Sequence, residues 1–183
     1  ILHHATKVRI AQAAAQLIRS DQKIILDSGT TTAEIARKIK QSKFSSLTVI
    51  TNALNIAMEL ANLPYVSVIM LGGMLLEMCY FLVGPHAEQI LTDLNADHVF
   101  LGVDGLDPEL GLSTPDVFEA KLNTLMIRVS RQVTVVADSS KLGQRSLSVI
   151  SRVESVHRVI TDAKAPPSVV AALRSRGVEV LLV

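Results

Sequence analysis

A glycine and several hydroxyl side chains follow an apolar run in the stretch LDSGTTTAEIARKIK, residues 26–40. Thr31 and Glu34 have the spacing of a capping box, in which two side chains satisfy free backbone N–H groups at the start of a helix. Such a cap leaves Gly29 and the two other threonines without a role. A glycine that permits close approach, followed by hydroxyls at a helix N-terminus, suits an anion such as a sugar phosphate. The stretch therefore predicts a capped helix, an anion site, or both.

Carboxylates are concentrated in a second stretch, GVDGLDPELGLSTPDVFEAKL, residues 102–122. Asp104 and Asp107 are three residues apart around a glycine, and Glu119 follows. One interpretation is a turn and then a helix that begins at a cap formed by residues 113–116. The other is a set of carboxylates that hydrogen-bond sugar hydroxyls or act as acid and base. Both interpretations stay open on these residues alone.

A lysine follows two serines in a third stretch, ADSSKLGQRS, residues 137–146. Lys141 is either a solvated side chain in a loop or a point charge that contacts a phosphate. The second interpretation requires this stretch to lie on the same edge of the protein as Gly29.

Metal and covalent chemistry have no matching pattern in the chain. The five histidines are not spaced as metal ligands with carboxylates or with Cys79, and no Gly-x-Ser-x-Gly elbow occurs. We therefore predict no metal ion and no residue for acyl transfer, and we expect no cofactor. We expect Cys79 to be a buried or half-buried small side chain.

Seven short β-branched runs alternate with segments of helical character along the chain. The runs are near-continuously apolar, as strands buried on both faces must be. We predict strands over residues 23–27, 47–51, 66–71, 98–103, 132–137, 156–161 and 178–183. We predict helices over residues 5–18, 32–40, 53–60, 87–94, 117–130 and 168–176. This alternation indicates an α/β fold with a mostly parallel central sheet flanked by helices.

Small and polar residues follow most of the predicted strands. These strand ends carry Asp27 and Gly29, Asn52, Gly72 and Gly73, Asp104, and Asp138 with Lys141. In an open parallel sheet the ligand crevice lies beyond the carboxyl ends of the strands, where the loops converge. The polar strand ends therefore predict one pocket rather than several unrelated turns.

The composition excludes a broad nucleic-acid surface. The 18 Lys and Arg residues nearly balance 17 Asp and Glu, and the aromatic content is 3% without tryptophan. Little therefore attracts a phosphate backbone or stacks on bases. The longest uncharged stretch, Leu60 to Leu76, contains turn residues instead of a continuous apolar span. We expect a soluble, cytoplasmic protein in which residues 1–183 form a single domain.

Five motifs cover nearly the whole chain: IILDSGTTTAEIARKI, LTVITNALNIAMEL, VIMLGGMLLEMCYFLVGPHAE, HVFLGVDGLDPELGLSTPDVFEAKL and VVADSSKLG. In their order and spacing they resemble the C-terminal effector-binding domain of the DeoR family of bacterial repressors of sugar metabolism. Within that family the chain looks most like regulators of amino-sugar catabolism of the galactosamine type.

This resemblance implies a fold similar to ribose-5-phosphate isomerase and glucosamine-6-phosphate deaminase. It implies a domain that senses a phosphorylated sugar or related metabolite. Binding would alter how an N-terminal winged helix-turn-helix, expected to be absent from this chain, holds operator DNA. It also implies assembly as a homodimer or homotetramer. The family's ligand positions correspond to Asp27, Gly29, Thr30, Thr31, Thr32, Asn52, Gly72, Gly73, Asp104, Glu119 and Lys141.

Two departures from the related proteins bear on function. Leu75, Leu76 and Glu77 stand where family members commonly carry basic residues, so no cationic contact is expected from that loop. The related isomerases carry a lysine between their Asp-Gly-x-Asp motif and the following glutamate, whereas the interval PELGLSTPDVF has none. The resemblance thus implies binding without turnover, with a sugar-phosphate isomerase or deaminase as the alternative.

Overall fold

The computed structural model describes residues 3–183. Within this range the chain forms six α-helices, each at a helix that the sequence predicted. They are α1 (His4–Ala15), α2 (Thr30–Lys40), α3 (Leu54–Leu60), α4 (Pro85–Thr92), α5 (Val117–Arg128) and α6 (Pro167–Ser175). None of these described helices has the length and apolar character that crossing a bilayer requires.

Twelve strands occur in the same residues. In chain order they are β1 (Lys23–Leu26), β2 (Leu47–Thr51), β3 (Val66–Met70), β4 (Met74–Leu75), β5 (Leu82–Val83), β6 (Ala96–Leu101), β7 (Gly105–Asp107), β8 (Gly111–Thr114), β9 (Ser130–Val136), β10 (Ser148–Ser151), β11 (Arg158–Thr161) and β12 (Glu179–Leu182). Seven of them form one sheet in the order β12-β11-β9-β6-β1-β2-β3, and every adjacent pair is parallel. These are the seven predicted strands, so the predicted α/β fold with a mostly parallel sheet is confirmed.

The five strands that the sequence did not predict are two to four residues long. β4 and β5 form a hairpin, and β7, β8 and β10 form a small antiparallel sheet. Strands this short show no alternating pattern in a sequence. β8 takes up Ser113 and Thr114, which the sequence assigned to a helix cap. The cap of α5 is Asp116 alone, whose side chain accepts a hydrogen bond from the Glu119 N–H.

Side chains of the central strands alternate between two hydrophobic cores. Ile24 and Leu26 pack with α1, α2 and α3 on one face of the sheet. Ile25 packs with α4, α5 and α6 on the other face. All three side chains are fully buried, and each such burial contributes about 1.5–3 kcal/mol. The two cores therefore fix the ends of the strands, from which the functional loops leave.

β1 lies where the strand order reverses. After β1 the chain moves outward through β2 and β3, and it then returns to β6 on the opposite side of β1. The Asp27 N–H donates to the Phe100 carbonyl at 3.1 Å and joins these two strand ends. Loops leave such a switch point in opposite directions and open a crevice beyond the strands. The fold therefore places a crevice where β1 and β6 end.

Candidate functional site

A cavity of about 860 Å³ lies at this switch point. It is lined by residues 28–31 at the beginning of α2, by the α5 cap Asp116 and by Glu119 within α5, and by residues 76–81 of the β4–β5 hairpin. Asp104, which follows β6, also lines it. A cavity is thus present where the polar strand ends predicted a pocket.

The start of α2 differs from the predicted capping box. The helix begins at Thr30 with Gly29 as its N-cap, and no side chain caps it. Thr31 therefore lies inside the first turn, whereas an N-cap residue must have a non-helical backbone for its hydroxyl to reach a free N–H. Glu34 forms an ion pair with Arg37 instead. The predicted capping box is wrong because the helix begins at Thr30, two residues earlier than a cap at Thr31 requires.

The backbone N–H groups of the first turn of α2 are open to a ligand. The first four N–H groups of an α-helix have no partner within the helix. Gly29, Thr30 and Thr31 line the cavity, and the first turn has no acidic side chain that would compete for these groups. Thr32 is fully buried and its Oγ1 donates to the Gly29 carbonyl at 3.0 Å. The helix end therefore suits an anion.

Two carboxyl groups meet at a buried threonine beside the cavity. The Thr114 Oγ1 lies 3.0 Å from Asp104 Oδ2 and 2.7 Å from Glu119 Oε2. Lys141 Nζ lies 3.9 Å from Asp104 Oδ1 and also lines the cavity. The structure thus brings together three predicted site residues that are far apart in the sequence. No set of three or more metal-binding side chains forms here or elsewhere in residues 3–183.

The carboxyl group of Glu119 holds its proton more tightly than an ordinary glutamate. Burial raises the pKa of Glu119, donation from the Thr114 hydroxyl to the ionised form of Glu119 would oppose this effect, and the like charges of Asp104 and Asp116 raise the pKa further. A carboxyl group that keeps its proton can donate a hydrogen bond to a ligand oxygen as well as accept one.

Asp27 lies behind the cavity wall and does not line it. Its Oδ2 accepts a hydrogen bond from the Gly102 N–H at 3.2 Å, and its Oδ1 accepts one from Ser28 Oγ at 3.4 Å. With its carboxamide nitrogen turned towards Asp27, Asn123 donates to Oδ1 at 3.2 Å. Burial raises the pKa of Asp27 well above its ordinary value, and the charge of Glu119 adds to this. Asp27 thus holds two loops of the wall, and its contact with a ligand stays a prediction.

Asp27 should make the free energy of unfolding depend on pH. Because its pKa is raised in the folded state, its contribution to stability is present at acid pH and is lost as the pH rises through the folded pKa. Asp27→Asn cannot ionise, so its unfolding free energy should fall less than that of the wild type between about pH 5 and about pH 8. Urea denaturation measures this difference. Asp93→Asn, a change at an exposed aspartate, should behave as the wild type, and equal falls in all three proteins would contradict the prediction.

Asn52, Gly72 and Gly73 lie outside the cavity, beside the β4–β5 hairpin. Asn52 Nδ2 donates to the Leu82 carbonyl at 3.0 Å, and the Asn52 carbonyl accepts from the Leu82 N–H at 2.9 Å. Gly73 has a φ of 122°, and a Cβ there would overlap the Val83 carbonyl oxygen. Asn52 and Gly73 therefore hold the hairpin in place, and contact of all three residues with a ligand stays a prediction.

Asp107 does not join the carboxyl groups of the cavity. Its side chain accepts hydrogen bonds from the N–H groups of Leu110 and Glu109, at 2.9 and 2.8 Å, and it pairs with Arg145 at 2.9 Å. The bond from the Leu110 N–H lowers the pKa of Asp107 most, and the bond from Arg145 lowers it further. For Asp107 the turn interpretation is therefore the correct one.

Part of the cavity wall comes from α1 and α2, at residues that the sequence did not single out. His4, Lys7 and Arg37 line the cavity, and His4 Nδ1 lies 3.7 Å from Glu34 Oε1. No local signal marks His4 and Lys7, because α1 reaches the cavity only by packing on α2. These side chains add titratable and positive groups near the helix N-terminus.

The β4–β5 hairpin contributes the remaining edge of the cavity. Leu76 and Glu77, which stand where family members commonly carry basic residues, both line the cavity. Cys79 and Tyr80 also line it. Cys79 is exposed, contrary to the predicted buried or half-buried position, because it lies in the turn between β4 and β5.

Comparison with known proteins agrees with this architecture. A family model described as the DeoR C terminal sensor domain matches residues 2–163. The chain is 40% identical over 182 residues to a candidate aga operon transcriptional repressor of Escherichia coli O157:H7, which covers 100% of this chain and 67% of that protein. It is 37% identical over 175 residues to the HTH-type transcriptional regulator GlpR of Haloferax volcanii, which covers 96% of this chain and 68% of that protein.

Among solved structures, ribose 5-phosphate isomerase A of Methanocaldococcus jannaschii is similar in fold, with a TM-score of 0.55 at 17% identity. The match covers 76% of this chain and 55% of the isomerase, so the chain spans about half the length of that enzyme. Such a likeness concerns the fold alone. The sequence relatives are named as transcriptional regulators and not as enzymes. The chain therefore belongs to the DeoR family as a C-terminal sensor domain, that is, an effector-sensing regulatory domain.

Proposed function

We propose that the chain senses a phosphorylated sugar or a related phosphorylated metabolite, whose phosphate binds at the N-terminus of α2. The observation that carries this proposal is the uncapped first turn of α2, where Gly29, Thr30 and Thr31 line the cavity. A phosphate there accepts backbone hydrogen bonds and gains from the helix dipole. Each hydrogen bond to a charged group contributes about 1.5–3 kcal/mol. A few of them approach the roughly 8 kcal/mol of a micromolar dissociation constant.

The sugar hydroxyls are proposed to contact Asp104 and Glu119, and Lys141 adds a positive charge for the phosphate. This assignment is supported by the common position of the three side chains on the cavity wall. The other ligand positions implied by the family resemblance do not line the cavity, and in this proposal they hold the loops that contact the ligand. They are Asp27, Thr32, Asn52, Gly72 and Gly73.

Regulation requires a ligand that binds one arrangement of the molecule more tightly than another, because equal affinity for both leaves the equilibrium between them unchanged. In the whole regulator, a winged helix-turn-helix that precedes this chain would read operator DNA, as the names of the repressor relatives support. The effector then changes the affinity of that domain for its operator. The proposal also includes a cytoplasmic location and a homodimer or homotetramer as the working assembly.

Thermal unfolding in the presence of candidate ligands tests the proposal. The panel contains inorganic phosphate, pentose 5-phosphates, hexose 6-phosphates and hexosamine 6-phosphates, each sugar also in its unphosphorylated form. A ligand that binds only the folded protein stabilises it by about 2.7 kcal/mol at 100 times its dissociation constant. Phosphorylated sugars should therefore raise the melting temperature, whereas their unphosphorylated forms should not. No rise with any phosphorylated sugar would overturn the proposal.

Lys141→Ala should weaken the binding of the best phosphorylated ligand about tenfold, because one charge-assisted contact is lost. Titration calorimetry measures the dissociation constant. Arg145→Ala is the matched control, because Arg145 lies close in sequence but pairs with Asp107 away from the cavity. An equal loss in both variants, or none in Lys141→Ala, would exclude a direct role of Lys141.

A further inference from the structure

The hydroxyl of Thr114 stands between two acidic oxygen atoms. It lies 2.7 Å from Glu119 Oε2 and 3.0 Å from Asp104 Oδ2, and Thr114 is 1% exposed. A threonine hydroxyl has one proton to donate, and an ionised carboxylate can only accept. With both carboxyl groups ionised, one of the two short contacts would join a carboxylate oxygen to the lone pairs of the hydroxyl. Both contacts are hydrogen bonds only if one carboxyl group carries a proton.

The surroundings of the two carboxyl groups differ and indicate which one is protonated. The Asp104 side chain is 46% exposed, and Lys141 Nζ lies 3.9 Å from its Oδ1, so solvent and a positive charge are both close to it. Glu119 makes no salt bridge within residues 3–183, and the like charges of Asp104 after β6 and Asp116 at the start of α5 raise its pKa. Asp27 after β1 also interacts with Glu119, but the pKa of Asp27 is itself raised well above its ordinary value. A proton shared by the pair therefore resides on Glu119.

We propose that Thr114 is a positioning residue that links a neutral Glu119 to an ionised Asp104 through a hydrogen-bond relay. In this relay Glu119 donates to Thr114 Oγ1, and the Thr114 hydroxyl donates to Asp104. No bond other than these hydrogen bonds forms or breaks, and the pair of Asp104 and Glu119 carries one negative charge instead of two.

The relay determines what the wall can recognise, and this consequence rests on the proposed function. A ligand phosphate in the same cavity meets less repulsion from Asp104 and Glu119 when the two carry one charge than when they carry two. Asp104 remains free to accept a hydrogen bond from a sugar hydroxyl, while Glu119 is held in one orientation by Thr114. Thr114 thereby sets the specificity of the wall for neutral hydroxyl groups without touching the ligand itself.

Carbon-13 NMR of the side-chain carboxyl groups of the ligand-free protein tests the proposal. The Glu119 signal, assigned by its loss in Glu119→Gln, is followed from acid to alkaline pH. Its titration midpoint should lie above the midpoints of the exposed glutamates in the same spectra. In Thr114→Val, the state with a protonated Glu119 loses two hydrogen bonds, whereas the state with an ionised Glu119 loses one. The Glu119 midpoint should therefore fall by about 0.5 to 1 pH unit.

The opposite sign distinguishes the alternative arrangement. If Thr114 merely donated to an ionised Glu119, Thr114→Val would remove a stabilising contact from the charged form and raise the midpoint. Thr114→Ser keeps the hydroxyl and should retain the wild-type midpoint, and Asp104→Asn should lower it by removing a like charge. A wild-type midpoint no higher than those of exposed glutamates, or an unchanged or raised midpoint in Thr114→Val, would overturn the proposal. Because no ligand is added, these outcomes are independent of whether the chain binds a sugar phosphate.

Discussion

Replacing Thr30 with glutamate is expected to weaken the binding of phosphorylated ligands at least 100-fold. Thr30 is the first residue of α2 and is exposed to the cavity. A carboxylate at this position competes with phosphate for the free N–H groups and repels it. Two unit charges 4 Å apart repel by about 4 kcal/mol in a partly solvated site. Titration calorimetry with the ligand found by thermal unfolding measures the loss.

The fold should tolerate this change, because a negative charge in the first turn of a helix interacts favourably with its dipole. The melting temperature of ligand-free Thr30→Glu should therefore equal or exceed that of the wild type. Thr30→Gln has the same shape without the charge, and its affinity should stay within about tenfold of the wild type. Strong binding by Thr30→Glu would mean that the phosphate binds elsewhere in the cavity.

Replacing Gly111 with alanine is expected to lower the free energy of unfolding by about 3 kcal/mol or more. Gly111 begins β8 with a φ of 94°, and a Cβ there would overlap the carbonyl oxygen of Ser151 at the end of β10. The backbone of β8 or β10 must move to relieve the overlap. Because β8 ends at Thr114, the same movement should disturb the contacts of Asp104 and Glu119.

Gly177→Ala separates the backbone effect from the overlap. Gly177 has a φ of 83°, but a Cβ there would meet no atom within 4 Å. Its cost should therefore be only the roughly 1–2 kcal/mol of a left-handed conformation. Chemical denaturation of both variants measures the difference. Equal losses would show that the contact between β8 and β10 adapts to a methyl group without strain.

The central sheet was predictable because its strands are buried on both faces. Runs such as residues 47–51 and 132–137 have to be apolar almost throughout, and this leaves a strong signal even in a single sequence. The parallel order follows from the helices between them. The five short strands left no such signal, because hydrogen bonds to distant partners hold them in place more than their own side-chain pattern does.

The predicted site divides in the structure into two groups. Gly29, Asp104, Glu119 and Lys141 line the cavity, whereas Asp27 is buried behind it. A polar residue at the end of a strand is predictable from the sequence, but its side-chain direction is not. That direction depends on partners far along the chain, as with the contact of Asp27 and Gly102.

By itself, the sequence determined the seven strands, the six helices and the polar residues at the strand ends, because burial and turn chemistry act locally. Only the tertiary structure decided that α2 is uncapped, that His4 and Lys7 of α1 join the cavity, and that Thr114 lies between Asp104 and Glu119. These features depend on the packing of segments that are distant in the chain. A local pattern carries no information about such packing. The proposed proton on Glu119 follows from the packing and not from the pattern.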